Sequence, residues 1–503
     1  MKKALLLNIC SILCFSIMGS AQHPEKKCWH IDYYLWNENT PALHILCGND
    51  EAFNTGDELT LEMWVRAYTF GENRKVMGKI DSDGSGFNNG YVMGFQNLNV
   101  YTEIWNPTTQ VITYGSAGPI QIDSAFVHMA TTYSANSGMM RDYINGVKVG
   151  EMQIFPIAPI VANDAEFMIG AAPWDPFAFQ FYGALDEVRV WNVERTQDQL
   201  QKYMFQELRG DEEGLVAYYN FNTAYDNVVP DMSLNNNTGI LQNASDPSWS
   251  WAPSHAPVGD LQMYDLFDRV AAWSGKLGEE YNYAMSSSGF SVIADIKRKE
   301  FEKYVLFAHD GESGTSTQNE PDGSHQGFQR THREWYVNQA GNPELSMFFN
   351  LADAAAEGPS LPQTTEIEHY ALLFRENKDE DYVAIAFPDQ IFQENLIFNN
   401  LILQDGYYAL GYSESSFDIQ TSIADAVTPE ISVYPNPATD HIAIVNASGS
   451  DMHLYNLAGQ LMMNKKISQP YENIGIEHLT PGMYVMSIQN QINQQTQVII
   501  IRN

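Results

Sequence analysis

In the stretch Leu59-Thr-Leu-Glu-Met-Trp-Val65, every second side chain is aliphatic or thioether, and polar or aromatic side chains lie between them. Leu59, Leu61, Met63 and Val65 point to one side of an extended chain, and the residues between them point to the other. The stretches Val127–Tyr133 and Ala184–Trp191 show the same period of two. Alternation with this period predicts β-strands that cover a core with one face.

Turn and helix signals surround these stretches. Asn145-Gly146 follows Tyr143-Ile144 and predicts a tight hairpin turn, because both residues tolerate the positive φ that such a turn requires. One helix is predicted over about 195–208, with Thr196 as its N-cap. The Pro- and Ser-rich run 246–257 lacks periodicity and predicts a linker. Short strands and turns over some 200 residues indicate a sandwich of two sheets.

Composition limits the classes of protein and of partner. A chain of 503 residues with 44% hydrophobic and 12% aromatic residues can build several packed cores. Lys and Arg number 27 against 62 Asp and Glu, which gives a net charge of −35. Such a chain repels phosphate backbones and anionic lipid surfaces, so nucleic acid and membrane surfaces are excluded as expected partners.

The first 21 residues predict a signal peptide. Lys2 and Lys3 precede the apolar stretch 4–18, and small residues at 19–21 form a cleavage site. No later stretch is long and apolar enough to predict a membrane helix. Cys28 and Cys47 are then the only cysteines left, and export favours a disulfide between them. Two free buried thiols are the alternative.

The strands above resemble those of the laminin-G-like jellyroll family, in the concanavalin A-like group. Residues 28–255 carry the resemblance through four ordered stretches and a closing segment: Leu59–Val65, Val127–Tyr133, Tyr143–Gly150, Gly183–Asn192 and Gly214–Phe221. The resemblance implies an all-β sandwich, a fold that lectins, adhesion modules and glycosidases share. It also implies a structural Ca²⁺ held by Asp186, with Asn49 and Asp50 as further ligands. The alternative is that Asp186 caps a turn or pairs with Arg189.

The strands contain no local pair of carboxylates with the spacing that glycoside hydrolysis requires. A retaining glycosidase needs two carboxyl groups about 5–5.5 Å apart on one face. Asp186 and Glu187 are adjacent and are predicted on opposite faces, and Glu62 stands alone on its strand. His128 is predicted to be structural. A hydrolase whose acids converge from separate strands stays open as an alternative.

A loop before the last predicted strand of this region is a candidate for glycan binding. In 172–182, two prolines stiffen the loop, Trp174 can stack on a sugar ring and Asp175 can accept hydrogen bonds from hydroxyl groups. Trp105 is a second aromatic candidate. The phenylalanines of this loop are predicted to be buried.

Residues 256–420 contain further strand-like stretches and predict a second β-sandwich of unknown function. The region resembles an uncharacterised sandwich of large surface proteins. Arg333, Trp335 and Arg375 are either a ligand surface or packing at strand ends through cation–π contacts.

Residues 428–503 resemble the type A sorting domain of type IX secretion, a small Ig-like sandwich. The resemblance is carried by Tyr434, Pro435, Asn436 and Pro437 and by the turn glycines Gly459 and Gly482. It implies the type IX machinery as a partner, delivery to the outer cell surface or release, and removal of the tail on arrival. The alternative is an ordinary Ig-like module.

Together these features predict a secreted, non-catalytic binding or adhesion protein. Its expected ligand is a polysaccharide or an extracellular protein, bound through the first sandwich. A glycan-active hydrolase and a purely structural surface component are the alternatives.

Overall fold

The alternating stretch at Leu59 forms a strand, Glu58–Ala67, in the computed structural model. Leu59, Leu61 and Met63 lie in a core with at most 1% exposure, and Trp64 lies on the opposite face, so the predicted alternation is confirmed. The structure describes residues 26–31, 42–68, 73–82, 87–96, 99–105, 110–114, 125–154, 157–244, 250–275, 282–297, 300, 302–321, 325–419, 432–434, 438, 440–445, 447, 450–456, 460–467, 471–489 and 494–501. The predicted signal peptide lies outside these residues.

Residues 27–253 form the first sandwich. Its strands are β1 (Lys27–Ile31), β2 (His44–Leu46), β3 (Glu58–Ala67), β4 (Arg74–Ser82), β5 (Phe87–Gln96), β6 (Asn99–Trp105), β7 (Gln110–Tyr114), β8 (Val127–Ser134), β9 (Met139–Ile144), β10 (Val147–Gln153), β11 (Met168–Ile169), β12 (Gly183–Trp191), β13 (Leu215–Tyr219), β14 (Val228–Val229), β15 (Gly239–Gln242) and β16 (Trp251–Pro253). The first sheet has the order β10-β9-β8-β3-β12-β1-β16, with β13 also paired to β12. The second sheet has the order β14-β15-β2-β11-β4-β5-β6-β7.

The two sheets enclose one core. Val65, Met129 and Leu185 from the first sheet join Met77 and Met93 from the second, all at 2% exposure or less. Burial of these side chains removes apolar surface from water, at about 25 cal/mol per Å². Antiparallel pairing of neighbouring strands throughout makes the predicted all-β sandwich correct.

A short helix follows β12. Helix α1 spans Gln197–Tyr203, with Thr196 as N-cap and a reciprocal hydrogen bond from Gln199, as in a capping box. The predicted N-cap is therefore confirmed, whereas the helix ends five residues earlier than expected. The 3₁₀ helix Glu51–Phe53 was not predicted.

Residues 267–412 form the second sandwich. Its elements are β17 (Phe267–Trp273), β18 (Asn282–Met285), β19 (Phe290–Ala294), β20 (Tyr304–His309), β21 (Thr315–Ser316), β22 (Gln329–Thr331), β23 (Trp335–Ala340), β24 (Leu345–Asn350), α2 (Leu351–Ala355), β25 (Tyr370–Arg375), β26 (Val383–Ala386), β27 (Gln390–Phe392), β28 (Asn395–Leu401) and β29 (Gly406–Tyr412). The third sheet has the order β17-β20-β23-β29-β22-β21, with β25 beside β29 and β26 beside β25. The fourth sheet has the order β18-β19-β24-β28-β27.

The two sandwiches share a packed interface and belong to one compact unit that extends to Ile419. Trp64 of β3 contacts Trp273 of β17 edge to face, with 5.9 Å between ring centroids, and both rings also contact Phe205. The indole N–H of Trp64 donates to the carbonyl of Met204 at 2.7 Å, and that of Trp273 donates to the carbonyl of Phe126 at 3.0 Å. Aromatic pairs with satisfied N–H groups fix the two sandwiches against each other.

The predicted linker is part of this unit. Trp251–Pro253 pairs with β1 as an edge strand, and Ala256 and Val258 are buried in the interface. The prediction of a linker was wrong for these residues, because prolines and serines at a sheet edge mimic the composition of a loop. The division into domains at residues 28–255 and 256–420 stays a prediction.

The predicted disulfide is not formed. Cys28 and Cys47 are both free and buried. Cys28 packs in the interface between the sandwiches, whereas Cys47 packs inside the first sandwich beside the core residue Ile45. Trp29 takes the inward position on β1, so the alternation of the strand turns Cys28 to the outer face. Burial raises the pKa of both thiols, which keeps them protonated.

The second compact unit begins at Gln420 and is a smaller sandwich. Its strands are β30 (Ser432–Tyr434), β31 (His441–Val445), β32 (Asp451–Asn456), β33 (Leu461–Lys466), β34 (Tyr471–Gly475), β35 (Gly482–Gln489) and β36 (Gln494–Ile501). They form sheets β30-β31-β34 and β33-β32-β35-β36 around a core that includes Ile442, Leu454 and Met486. Across the described ranges, no helix is long and apolar enough to cross a membrane.

We expect Trp273→Ala to destabilise the whole unit up to Ile419 by about 3–5 kcal/mol, because it empties a buried indole site at the interface. Since the interface is large and apolar, both sandwiches should still unfold together in calorimetry. Tyr225→Ala is the control, because Tyr225 is 59% exposed and its loss should change the free energy of unfolding by about 0.5 kcal/mol or less. Two separate transitions in the unmutated protein would show that the sandwiches are independent.

Candidate functional site

Side chains on the outer face of the second sheet, together with Trp174 from the loop 172–182, form a group that we term the Lys75 cluster: Lys75, Tyr101, Glu103, Trp105 and Trp174. Strands β4, β5 and β6 align them, because Lys75 is opposite Gly94 and Gly94 is opposite Tyr101. Tyr101, Glu103 and Trp105 follow at every second residue of β6 and so share a face. Val100, which precedes them, and Ile104, which lies between Glu103 and Trp105, are in the core.

A buried ion pair is the centre of the Lys75 cluster. The Lys75 ammonium lies 2.6 Å from Glu103 Oε1, and the side chains are 0% and 6% exposed. The Lys75 Nζ is also 4.0 Å from the centroid of the Tyr101 ring. Burial lowers the pKa of Lys75, and the Glu103 carboxylate opposes that effect.

The two tryptophans named from sequence flank this pair. Trp105 donates its indole N–H to Glu103 Oε2 at 2.8 Å. The Lys75 Nζ lies 6.0 Å from the centroid of the Trp174 ring, which also packs against Phe179 at 5.5 Å. Both indoles are half-buried, so part of each ring stays accessible. The structure therefore brings Trp105 and Trp174 onto one face through the Lys75–Glu103 pair.

Asp175 is exposed beside Trp174 in the same loop. Its Oδ1 accepts a hydrogen bond from the backbone N–H of Ala178 at 3.0 Å, which fixes the loop turn. The backbone N–H of Lys75 donates to the carbonyl of Phe179 at 3.0 Å and ties this loop to β4. The phenylalanines follow the prediction only in part, since Phe181 is buried and Phe177 is 43% exposed.

Glycines form the floor between these side chains. A Cβ at Gly94 would lie 2.0 Å from the carbonyl oxygen of Arg74, and one at Gly90 would lie 2.1 Å from that of Lys79. Gly90 also has a φ of +132°. No other residue fits at either position without displacing the neighbouring strand.

Sequence reasoning missed Lys75, Tyr101 and Glu103. The alternation of Tyr101, Glu103 and Trp105 along β6 was a signal that one face carries all three. Lys75 joins the cluster only because β4, β5 and β6 pair in this register, and no local sequence pattern predicts that register.

The adjacent acids Asp186 and Glu187 lie on the same face of the first sheet, so the prediction of opposite faces was wrong. A β-bulge shifts the register of β12 against β3 between Asp186 and Arg189, and Glu187 has a φ of +52°. The extra residue turns both carboxylates to the outer face. Asp186 is 4% exposed and Glu187 is 2% exposed.

Glu187 belongs to a buried network with Arg189 and Glu62. Arg189 donates to Glu187 Oε2 at 2.5 Å and lies 3.7 Å from Glu62 Oε1. Trp191 Nε1 donates to Glu62 at 2.8 Å, and His128 Nε2 is 3.2 Å from it. Burial raises the pKa of Glu62, but the His128 hydrogen bond and the Arg189 charge outweigh it and lower the pKa to about 2. These contacts give each charged group a structural partner.

The three residues predicted to hold calcium are not brought together. Asp186 is buried and accepts hydrogen bonds from Ser254 Oγ and from the Glu187 N–H. Asp50 is exposed and caps the 3₁₀ helix at Glu51, and Asn49 donates to the carbonyl of Asp164. Within the residues that the structure describes, no group of three or more His, Cys, Asp or Glu could hold a metal ion. Calcium binding stays a prediction.

Arg333, Trp335 and Arg375 serve packing in the second sandwich. Trp335 is fully buried and donates to Ser288 Oγ at 2.9 Å. Arg333 donates to backbone carbonyls, and Arg375 Nη2 donates to both carboxylate oxygens of Glu334 at 2.7 Å. Arg375 also lies 4.7 Å from the centroid of the Tyr382 ring, in agreement with the cation–π interpretation for this residue.

Two of the predicted sorting residues fall in described segments. Tyr434 ends β30 and Gly482 begins β35. Pro435, Asn436, Pro437 and Gly459 lie outside the described residues.

We expect Glu103→Gln to destabilise the protein by about 3–5 kcal/mol, because it leaves the Lys75 ammonium buried without a carboxylate. The double variant Lys75→Met/Glu103→Gln should recover part of that loss, since no buried charge remains. The measurement is the free energy of unfolding in urea for both single variants and the double variant. Strictly additive losses would show that the two side chains are not coupled.

We expect the stability of the Asp186→Asn variant, relative to that of the wild type, to increase as the pH rises. Burial, followed by the charge of Glu187, raises the pKa of Asp186 well above its usual range. Such an acid stabilises the fold below its unfolded pKa, and this contribution is lost as the pH rises toward its folded pKa. The Tm of the variant minus that of the wild type should therefore be larger at pH 7 than at pH 4.

The same pair of proteins tests the calcium prediction. A rise in Tm on adding Ca²⁺ that the wild type shows and Asp186→Asn lacks would support a site at Asp186. In the pH experiment, a Tm difference between the variant and the wild type that is equal at pH 4 and pH 7 would contradict the raised pKa of Asp186.

Comparisons with known proteins agree with this architecture. Residues 43–201 match the family described as the concanavalin A-like lectin/glucanases superfamily. Residues 432–502 match the secretion system C-terminal sorting domain. No curated protein matches the chain.

Several solved structures are similar to part of this chain at low identity. A Bacteroides ovatus protein, provisionally described as carbohydrate binding, is 21% identical, with a TM-score of 0.35, over 47% of this chain and 62% of its own. A heptameric SAP-like pentraxin from Limulus polyphemus is 15% identical, with a TM-score of 0.27, over 35% of this chain and 81% of its own. The CBM40 of a Ruminococcus gnavus IT-sialidase, bound to α2,3-sialyllactose, is 13% identical, with a TM-score of 0.27, over 31% of this chain and 90% of its own.

The sorting domain means that the chain is carried by type IX secretion to the cell surface or beyond. Residues 43–201 are thus similar to the concanavalin A-like, laminin-G-like family, and residues 432–502 are similar to type IX secretion C-terminal sorting domains.

Proposed function

We propose that the protein is a surface-delivered glycan-binding protein whose jellyroll binds saccharide at Trp174, Asp175 and Trp105. The observation that carries this proposal is the pair of half-buried tryptophans on one sheet face, both in contact with the buried Lys75–Glu103 pair. Sites for small ligands combine aromatic side chains with a few fixed polar groups. Asp175 supplies an exposed carboxylate at the edge of this face.

The ion pair beneath the rings supports binding by fixing their positions. Glu103 holds the Trp105 indole through its N–H, and the Lys75 ammonium lies against the Tyr101 ring and near the Trp174 ring. A ring that is already held loses little conformational entropy when a sugar stacks on it. Because Lys75 and Glu103 neutralise each other and the chain carries −35, a neutral glycan fits better than an anionic one.

The burial of Asp186 and Glu187 favours binding over hydrolysis. Asp186 and Glu187 share a face, but both lie beneath packed side chains, at 4% and 2% exposure. A general acid or nucleophile must reach the glycosidic bond within hydrogen-bond distance. The exposed aromatic face is on the other sheet, away from these carboxylates.

We expect Trp174→Ala to weaken glycan binding about thirtyfold, which corresponds to about 2 kcal/mol for truncation of a central aromatic contact. The full chain is first screened on a glycan array, with and without Ca²⁺, and the affinity for the best glycan is measured by calorimetry. Trp105→Ala should act in the same direction, and Tyr225→Ala, an exposed aromatic outside the cluster, should leave affinity unchanged.

Three outcomes would count against the proposal. Equal affinity in Trp174→Ala, Trp105→Ala and the wild type would exclude this face as the site. Release of reducing ends from a bound polysaccharide, lost on substitution of nearby acids, would identify a hydrolase instead. Retention of no glycan would favour a protein ligand or a structural role.

A further inference from the structure

A cleft of about 510 Å³ opens between the two sandwiches, away from the Lys75 cluster. Helix α1 and the residues after it form one wall, and the start of β17 forms the other. The buried side chains of Phe205 and Leu266 form an apolar part of its lining. The other lining residues include Gln201, Lys202, Phe267 and Asp268. Its volume lies in the range of about 300–1,000 Å³ that is usual for small-ligand sites.

The β17 wall is shaped by a β-bulge. Phe267 is opposite His309, but the next paired residue is Val270, opposite Phe307, so the register shifts between them. Asp268 takes up the extra length with a φ of +51°. Bulges re-aim side chains and are frequent beside binding sites. Here the bulge places an aromatic ring and a carboxylate next to each other at the cleft.

Phe267 offers a supported aromatic surface. Its side chain is 58% exposed, yet its ring lies 6.0 Å from the His309 ring. Gly311 lies against the same ring, because a Cβ there would come within 2.9 Å of Phe267 Cε2. The ring is therefore held from behind while much of its surface stays open to solvent.

Polar groups of both signs surround this ring. Asp268 Oδ2 accepts hydrogen bonds from the Ser286 and Ser287 hydroxyls, which fixes the carboxylate. Lys202 and Asp198 are exposed on helix α1 at the opposite wall. Arg269 donates instead to the backbone carbonyls of Met263 and Tyr264. Besides Arg269, the charged groups that line the cleft are the carboxylates of Asp198 and Asp268 and the ammonium of Lys202.

We propose that this cleft is a second saccharide site, which binds a neutral oligosaccharide with one sugar ring stacked on Phe267. The apolar face of a sugar ring matches the exposed phenyl ring, and hydroxyl groups can donate to Asp268 and accept from Lys202. An anionic saccharide meets two carboxylates and a chain of net charge −35. The site exists only where both sandwiches are packed together, and it does not rest on binding at the Lys75 cluster.

The test uses the full chain with Trp174→Ala in every sample, so that binding at the Lys75 cluster is weakened. Cellohexaose, xylohexaose, mannohexaose and an oligogalacturonate are titrated by calorimetry. We expect at least one neutral hexasaccharide to bind, and Phe267→Ala to weaken that binding at least tenfold. Asp268→Asn should weaken it less, and the oligogalacturonate should not bind.

Phe392→Ala is the matched control, because Phe392 is 55% exposed on β27 and lies outside the cleft. Thermal unfolding of each variant shows whether the fold is kept, and removal of an exposed ring should leave Tm nearly unchanged. The proposal is overturned if none of the neutral hexasaccharides binds, or if Phe267→Ala and Phe392→Ala have equal affinity. Neither result bears on the Lys75 cluster, whose own test is made without this background substitution.

Discussion

The central strands of the first sheet are closed off from water on both faces, and much of the molecule follows from that constraint. Strands β8 and β12 are buried along their whole length, although their sequences alternate as half-exposed strands do. The inner face packs in the sandwich core, and the outer face packs against the segment after β12 and the second sandwich. A sheet with polar residues on a buried face must pair every one of them or lose stability.

The outer face meets this requirement in two ways. Around Trp64 it is apolar, and Trp273 and Phe205 cover it. Around Arg189 it is charged, and Glu62 and Glu187 compensate the guanidinium in a dry environment. Taking such charges out of water costs several kcal/mol per ion, which only close partners and hydrogen bonds repay. These carboxylates thus hold the fold together, and the ligand sites that we propose lie on the opposite sheet and in the cleft beside α1.

Local sequence patterns predicted the strands and the helix N-cap well, but they did not predict how strands pair or which side chains share a face. The alternation from Leu59 to Val65, the Thr196 N-cap and the strands of the second sandwich could be predicted because each depends on neighbours in the chain. The common face of Asp186 and Glu187 depends on a bulge, and the ion pair of Lys75 and Glu103 depends on cross-strand register. Trp251–Pro253 resembled a linker because its partner strand is more than two hundred residues away. Of the candidate site, the two tryptophans and Asp175 could be predicted from sequence, but the contacts that hold the rings in place could not.

The glycines at positions 90 and 94 set a limit on how this surface can diversify. Since neither tolerates a side chain, the floor between the aromatic residues is a fixed part of the strand framework. Variation in ligand preference must come from the loop 172–182 and from the end of β6, whose residues can change without displacing a strand. A library that randomises only these two segments would explore new specificities on a scaffold that keeps its fold.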